Sequence, residues 1–226
     1  MVKIITVYGN MLLTAMGRTL LLAFLGLVFA CILGMIFGLL SVLKNKACNI
    51  ISNIFVFVIR GVPMIVLAFF IYFGIPYLIN TILGFGGGFT LSALQAGTIC
   101  LALNCGAYMA EIIRAGIQSI DQGQTEAARS LGLSQTMNLR YIILPQALKN
   151  ILPAIANEFV VIIKESAITY TIGVQDIMSA VNAVKGATFI IIEPLLVATA
   201  IYFCLCFPTS KLIAYFERRM SHGDKR

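Results

Sequence analysis

The sequence predicts an all-α polytopic membrane protein with about five transmembrane helices. Of the 226 residues, 60% are hydrophobic and only 11% are charged, whereas soluble domains are about 45–50% apolar and about 25% charged. A soluble fold of this length could not shield so much apolar surface from water. The chain also contains uncharged runs longer than the roughly 20 residues that one bilayer-spanning helix needs.

The first three spans are predicted from two uncharged runs. One run covers residues 19–43, and the other covers residues 61–110, which is too long for a single span. The interior of the longer run holds Asn80 and the glycines at 84–88, residues that interrupt helices and mark a turn. We therefore expect this run to contribute to two spans. The first three predicted spans are 19–43, 50–79 and 91–113.

Two further spans complete the prediction. The fourth, at 147–168, is weaker because it carries Glu158, Lys164 and Glu165. The fifth, at 187–212, precedes a charged tail. We assign all five spans to a single transmembrane domain over 1–226. A signal peptide is not expected, because the first apolar region far exceeds a signal h-region and no small-residue cleavage site ends it.

Basic residues near the span ends predict the orientation of the chain. The connections on one alternating side, together with the C-terminal tail, hold 11 of the 16 Lys and Arg residues. Positively charged connections stay in the cytoplasm. We therefore expect the N-terminus outside and the C-terminus in the cytoplasm. Because these basic residues lie beside the spans, we attribute the net charge of +7 to contact with the membrane surface. We expect no nucleic-acid partner.

The residue types that several catalytic or metal sites require are missing from the sequence. The six cysteines lack CxxC spacing and the single histidine is His222, so we expect neither a disulfide framework nor a zinc site. A Ser/His/Asp triad cannot be built around His222. The sequence also has no GxxxxGK[ST] phosphate-binding motif. We therefore expect no cofactor in this chain and no hydrolysis of ATP by this chain alone.

A polar segment at about 115–146 separates the third and fourth predicted spans. Its sequence predicts a short helix at 125–131 that ends at Gly132. A second helix is expected from Ser134, which is a suitable N-cap residue, to Pro145. The segment is too short to form a domain. It serves either as an ordinary connector or as the contact surface for a cytoplasmic partner.

The polar segment carries a spaced motif. Glu126, Ala127 and Ala128 are followed by Gly132 and by the Ile-Ile-Leu-Pro run at 142–145. This pattern resembles the EAA loop of the membrane subunits of binding-protein-dependent ABC importers. Further stretches are similar to the polar amino acid permease branch of that family, and their order along the chain is unbroken. These stretches are 60–63, 107–116, 152–157, 164–166 and 172–174.

The resemblance implies the type I permease fold of ABC importers and an ATP-driven import of polar amino acids. In this family the EAA segment forms a coupling helix that docks on a cytoplasmic ATPase. By resemblance, Glu126, Ala127, Ala128 and Gly132 make that contact here. The implied partners are a cytoplasmic ATPase dimer that binds ATP and Mg, a second permease protomer, with a homodimer favoured, and an extracytoplasmic amino-acid-binding protein. The implied location is a bacterial or archaeal cell (inner) membrane.

Polar residues in the predicted spans are candidates for the substrate pathway, since ionisable side chains inside a membrane are costly and usually face a cavity or a partner. Glu158 lies near the middle of the fourth span and could receive a cationic group, which favours a basic amino acid as substrate. The alternative is a purely structural role, such as a pair between Arg60 and Glu111. The six candidates are Asn104, Asn157, Glu158, Arg60, Lys164 and Glu165.

Two backbone features complete the prediction. Arg60, Gly61 and Pro63 indicate a bent or discontinuous helix in the second span, because proline removes a backbone donor. Gly34 and Gly38 form a GxxxG motif, which permits close packing of helices in lipid.

Two other functions stay open from the sequence. An ion-coupled secondary transporter for amino acids would need paired intramembrane charges and usually has more spans with internal repeats. An intramembrane enzyme would need a nucleophile–base pair or a set of metal ligands. An associated ATPase would distinguish an importer subunit from both.

Overall fold

The computed structural model describes residues 2–82, 84, 86 and 88–221, and every regular element in these ranges is helical. His222 and the basic residues Lys225 and Arg226 of the predicted tail lie outside the described residues. In chain order the α-helices are α1 (Val2–Val42), α2 (Lys46–Gly61), α3 (Met64–Phe69), α4 (Ile75–Ile82), α5 (Ala93–Gln118), α6 (Gln122–Ser130), α7 (Gln135–Asn138), α8 (Leu144–Glu165), α9 (Ile177–Thr188) and α10 (Ile192–Ser221).

Four helical segments of the described chain are long and apolar enough to cross a bilayer: Ile4–Val42, Met64–Ile82, Ala93–Gln118 and Ile192–Arg219. The remaining predicted span corresponds to α8. Its 22 residues give a length of about 33 Å at about 1.5 Å per residue, but four of them are charged. The count of five spans is therefore approximate, because four are clear from hydropathy and the fifth is a charged helix.

The first and last spans differ from their predicted bounds. The prediction begins the first span at residue 19, after Arg18, but α1 is one continuous helix of 41 residues. Arg18 does not end the helix because arginine has a high helix propensity and its guanidinium donates a hydrogen bond to the side chain of Gln175. The last span begins at Ile192 rather than 187, because residues 187 and 188 belong to the end of α9 and Phe189, with φ 57°, terminates that helix.

The predicted discontinuity in the second span is confirmed. Val62 is extended, with φ −103° and ψ 130°, and Pro63 precedes the first residue of α3. Proline lacks the N–H that a continuous helix needs, and it disfavours helical backbone in the residue before it. The predicted single span at 50–79 is therefore wrong. The structure divides it into α2, whose 16 residues reach only about 24 Å, and the segment Met64–Ile82.

Two π-helical turns interrupt the helices, and each ends two residues before a proline. Phe70–Gly74 precedes Pro76, and Leu139–Ile143 precedes Pro145. A proline ring clashes with the carbonyl group four residues earlier in a regular α-helix. The wider π turn displaces that carbonyl group, so the helix continues through the proline.

The predicted turn between the second and third spans is present in those of its residues that the structure describes. Gly84 and Gly86 have φ values of 70° and 57°, which glycine adopts without a steric penalty. Leu83, Phe85 and Gly87 lie outside the described residues. The side chain of Asn80 braces the turn, since its Nδ2 donates to the Phe89 carbonyl at 2.8 Å and its Oδ1 accepts from the Phe89 N–H at 3.0 Å.

Glycines set the separation of α1 and α5, which form the centre of the bundle. A Cβ atom on Gly34 would lie 2.5 Å from the Cβ of Met109, and one on Gly38 would lie 2.8 Å from the Cβ of Ile113. Real Cβ atoms do not approach so closely, so only glycine permits this contact. The packing role predicted for the GxxxG motif is confirmed.

An apolar cluster joins the N-terminal half of α1 to α9 and α10. The Thr19 hydroxyl accepts a hydrogen bond from the Ile177 N–H at 3.1 Å, which fixes the start of α9 against α1. The buried residues of this cluster are Ile4, Leu12, Ala15, Ile177, Ala180, Val181, Val184, Val197 and Ala198.

Asp176, in the connection before α9, is a fully buried carboxylate outside the membrane-spanning helices. Its Oδ1 accepts from the Ser179 N–H at 2.8 Å and caps α9, whereas its Oδ2 has no hydrogen-bond partner among the described residues. Burial raises the pKa of Asp176 to about 6, against the weaker opposing effect of the N–H groups in the first turn of α9.

We expect Gly34→Ala to lower the free energy of unfolding by about 1–3 kcal/mol, because the new methyl group overlaps the side chain of Met109. The measurement is thermal unfolding of the purified protein in detergent. Gly9→Ala is the matched control in the same helix, since nothing lies within 4 Å of its added Cβ. Equal unfolding temperatures for the two variants would contradict the proposed close contact.

We expect Asp176→Asn to remove part of the pH dependence of stability. The folded chain holds the Asp176 proton more tightly than the unfolded chain. The stability that this carboxyl contributes is therefore fully present below pH 3.8 and is lost as the pH rises through about 6. The loss is on the order of 1–3 kcal/mol. Asparagine keeps the helix cap, so unfolding curves from pH 4 to 7 should be flatter for the variant. Parallel curves for the two proteins would contradict the assignment.

Candidate functional site

Two helices contribute the side chains of a polar cluster within the bundle. Asn104 of α5 is buried, and its Nδ2 donates to Oε2 of Glu165 of α8 at 2.9 Å. The next residue of α5, Cys105, directs its Sγ to Oε2 of Glu158 at 3.6 Å. Glu158 and Glu165 are seven residues apart, close to two helical turns, so both carboxylates lie on the same face of α8.

The break at Pro63 adds a third element to this cluster. The Sδ of Met64, at the start of α3, lies 3.9 Å from Nδ2 of Asn104. The Sγ of Cys100, one helical turn before Asn104, lies 3.8 Å from the carbonyl oxygen of Met64. The discontinuity therefore brings the first turn of α3 against the cluster. We call Met64, Asn104, Cys105, Glu158 and Glu165 the central cluster.

The central cluster offers hydrogen-bond acceptors and potential negative charge. Glu158 and Glu165 are half-buried, and within the described ranges neither carboxylate forms an ion pair. The neutral donors Cys105 and Asn104 each contact one carboxylate oxygen. A buried carboxylate without a cationic partner is costly. The arrangement can therefore receive a cationic group of a ligand between α5 and α8.

Three of the six candidates from the sequence meet in the central cluster, namely Asn104, Glu158 and Glu165. Asn157 is exposed, although it is the neighbour of Glu158. Lys164 is exposed on another face of α8, where it lines a cavity of about 420 Å³ with residues of α9 and α10.

Arg60 lies apart from the central cluster. Its guanidinium carbon is 4.8 Å from the centroid of the Tyr108 ring, and both residues line a cavity of about 700 Å³ along α2. Among the described residues Arg60 forms no ion pair with Glu111, whose carboxylate binds Arg114 on its own helix, with Nε to Oε2 at 2.9 Å; Arg60 attracts this carboxylate only at longer range. An i,i+3 partner on a rigid helix is easier to reach than a side chain on α2.

Two members of the central cluster were missed by sequence reasoning. Cys105 and Met64 both belong to the uncharged run at 61–110, where neither carries a charge that would mark it. Their adjacency to Asn104 and to Pro63 was the only available signal. Only the fold shows that Cys105 contacts Glu158 and that Met64 contacts Asn104.

The polar segment forms the helix α6 and a tight turn. The Asp121 side chain caps α6 at the Gly123 N–H, at 2.7 Å. At the other end the Gly132 N–H donates to the Arg129 carbonyl at 2.9 Å, and the Leu133 N–H donates to the Ala128 carbonyl at 3.0 Å. This pair of bonds is a Schellman motif.

The turn after α6 depends on Gly132, whose φ is 80°. The predicted end of the first short helix at this glycine is therefore confirmed, although the helix begins three residues earlier than expected. Glu126 and Ala127 are exposed, whereas Ala128 is 3% exposed and faces the segment itself.

The second helix of the segment extends further than predicted. Ser134 caps α7 as expected, with its Oγ 3.3 Å from the Met137 nitrogen, but the helix does not end at Pro145. The π turn before Pro145 carries the backbone through the proline into α8. Asn138 is buried, and its Nδ2 donates to Oγ1 of Thr125 at 3.3 Å, which ties α6 to this long helix.

Comparisons with known proteins agree with the fold. A family model described as the binding-protein-dependent transport system inner membrane component matches residues 26–222. The putative glutamine transport system permease protein GlnP of Rickettsia conorii is 38% identical over 182 residues, which cover 80% of this chain and 80% of GlnP. The arginine transport system permease protein ArtQ of Bacillus subtilis is 38% identical over 174 residues, which cover 77% of this chain and 76% of ArtQ.

Solved structures are similar over almost the whole chain. A chain of an amino acid ABC transporter crystallised with histidines has a TM-score of 0.85 and 40% sequence identity, and the match covers 94% of this chain and 95% of that chain. A chain of the inward facing MetNI methionine ABC transporter has a TM-score of 0.77 at 19% identity, and the match covers 94% of this chain and 97% of that chain. This second similarity concerns the fold alone. The chain belongs to the family of binding-protein-dependent transport system inner membrane components.

Proposed function

We propose that this chain is the transmembrane subunit of an ATP-driven ABC importer that moves polar amino acids, and basic ones in particular, into the cytoplasm. Its relatives are permeases for glutamine and arginine, and its family is located in the inner membrane. The observation that carries the substrate class is the central cluster. There, two half-buried carboxylates among the spans form no ion pair within the described residues, and each contacts one neutral donor.

The central cluster fits the side chain of a basic amino acid better than that of a neutral one. Glu158 and Glu165 supply acceptors for a guanidinium or ammonium group, and the charge of the ligand would offset the cost of two half-buried carboxylates. The substrate site residues in this proposal are Asn104, Glu158 and Glu165. Arg60 and Lys164 stand apart from them, so we assign neither to the side-chain site.

The proposed contact with the ATPase is the exposed face of α6. Glu126 and Ala127 are exposed, so a carboxylate and a small side chain can approach a groove on a partner. Ala128 and Gly132 act indirectly, the first by packing α6 on its own segment and the second by permitting the turn. The segment at about 115–146 thus belongs to a single permease domain over 1–226, and ATP and Mg would be bound by the separate ATPase.

Movement of α6 can reach the central cluster along one helical path. Asn138 joins α6 to α7, and the π turn joins α7 to α8 without a break. A push on the cytoplasmic segment would therefore tilt α8 as a unit and change the exposure of Glu158 and Glu165. Such rigid-body movement of helices around a central site is the usual basis of alternating access.

The partners follow from the family. An importer of this kind works with a cytoplasmic ATPase and an extracytoplasmic binding protein. We propose a homodimer of permeases around the pathway, since one chain of this size is too thin to enclose an aqueous path. We also propose the orientation with the N-terminus outside, in a bacterial or archaeal membrane, because the basic residues concentrate on the side of α6.

We expect Glu158→Gln to lower the transport of arginine or lysine relative to glutamine by about tenfold or more, because a hydrogen bond to a charged group contributes about 1.5–3 kcal/mol. The measurement is uptake into vesicles that contain the permease, its ATPase and the binding protein. Asn157→Ala is the matched control, since this neighbour is exposed and lies outside the central cluster. An equal loss for charged and neutral amino acids would overturn the proposed site.

We expect Gly132→Val to uncouple ATP hydrolysis from transport and to lower the amount transported per ATP by about tenfold. A β-branched residue is strained at a φ of 80°, although no atom lies within 4 Å of the added Cβ. Gly132→Asn is the control, because asparagine tolerates left-handed backbone. The ratio of uptake to ATP hydrolysis in vesicles measures the effect. Unchanged coupling in the valine variant would refute the docking assignment.

A further inference from the structure

A polar groove lies between the N-terminal half of α1 and the start of α9, and none of its lining residues belongs to the central cluster. Its volume is about 460 Å³. Asn10, Thr14 and Arg18 are spaced four residues apart, so they form a polar stripe on one face of α1. Gln175 and Ser179 line the opposite side. Nothing in the proposed transport mechanism uses this groove.

Arg18 is the cation of the groove. Its side chain is exposed, and Nη1 donates to Oε1 of Gln175. Within the part of the chain that the structure describes, no carboxylate forms an ion pair with Arg18. Asp176 follows Gln175 and lines the same groove, but it is fully buried and its Oδ1 is engaged by the Ser179 N–H. A guanidinium has five N–H donors, so most of those of Arg18 are available to an anion.

Below Arg18 the same face of α1 becomes apolar and exposed. Leu21, Leu25, Phe29 and Ile32 follow Arg18 at spacings of three and four residues, so they continue its stripe along the helix. Leu21 is 47% exposed, and Phe29 and Ile32 are each 50% exposed. This part of α1 belongs to the segment that is apolar enough to cross a bilayer. Arg18 thus stands where a polar groove meets an apolar surface.

We propose that the groove binds a phospholipid of the leaflet on the side of the α1 N-terminus, with the phosphate on Arg18 and an acyl chain along the apolar stripe. In the orientation proposed above this is the outer leaflet. A guanidinium binds phosphate through paired N–H donors. A free anion would satisfy Arg18 but would leave the stripe uncovered, so the combination favours a lipid.

The groove favours a headgroup that carries hydroxyl groups. Beyond Arg18 it presents the amides of Asn10 and Gln175 and the hydroxyls of Thr14 and Ser179, which can donate to and accept from the glycerol of phosphatidylglycerol. The ammonium of phosphatidylethanolamine would need an accessible carboxylate. Asp176 also lines the groove, but the residue is fully buried, its Oδ1 caps α9 and its Oδ2 is enclosed, so it presents no exposed oxygen to an ammonium group. The groove is therefore selective for the glycerol headgroup.

The test is native mass spectrometry of the importer, purified with its ATPase from vesicles that contain equal amounts of phosphatidylglycerol and phosphatidylethanolamine. We expect the wild-type complex to retain phosphatidylglycerol in preference. Arg18→Gln should lower that retention by about tenfold, since a charged hydrogen-bond donor is lost. Lys185→Gln is the matched control, because this cation bonds to Asn182 on α9 outside the groove.

A second variant separates headgroup selection from binding of the phosphate. Ser179→Ala removes a hydroxyl but keeps the backbone N–H that Asp176 caps. It should reduce the preference for phosphatidylglycerol while total bound lipid is unchanged. Thermal unfolding of each variant checks that the fold is intact. Equal retention of both lipids by the wild type would overturn the headgroup selectivity, and unchanged retention in Arg18→Gln would overturn the phosphate contact.

Two further arms distinguish other occupants of the groove. Millimolar glycerol 3-phosphate should not displace the bound lipid, and displacement would show that the site serves a soluble phosphate. The external binding protein should stimulate the ATPase equally in the wild type and in Arg18→Gln. If Arg18→Gln abolished this stimulation while lipid retention stayed unchanged, the groove would be a protein contact and the lipid proposal would be wrong.

Discussion

The close contact between α1 and α5 is the constraint on which the rest of the bundle depends. Lipid tails are as apolar as leucine side chains, so helices in a bilayer gain little from apolar burial alone and associate through close packing. Gly34 and Gly38 permit that packing by leaving room for Met109 and Ile113. With α5 held against α1, its remaining faces present Asn104 to α8 and Tyr108 to Arg60.

The sequence predicted features that depend on local chemistry. Pro63 removes a backbone donor wherever it stands, so the break between α2 and α3 could be expected, as could the turn at Gly132. Features that depend on neighbours were not predictable. The prediction begins the first span only after Arg18, because the partner that keeps this charge in the helix, Gln175, is 157 residues away. The continuity of α7 and α8 was not evident because proline disfavours a helix interior, and here a π turn precedes Pro145.

The candidate site shows the same division. Composition marked Asn104, Glu158 and Glu165 as unusual in apolar surroundings, and the fold brings them together. Composition alone could not distinguish these three residues from Asn157 and Lys164, because neighbours in sequence face different sides of a helix. The charged side chains of the spans therefore occupy two kinds of position in this chain. The carboxylates turn inward to a cluster between helices, whereas Arg18 and Lys164 turn to the periphery.

The continuous helix from α7 through α8 also makes chain length a part of the mechanism. Each residue added to or removed from an α-helix rotates everything beyond it by about 100° and shifts it by about 1.5 Å. Between the cap at Ser134 and the carboxylate of Glu158 there is no loop that could absorb such a change. One inserted residue would change none of the existing side chains, but the rotation of the helix would still turn both carboxylates away from α5. The register of this helix is therefore under as strict a constraint as any residue that it carries.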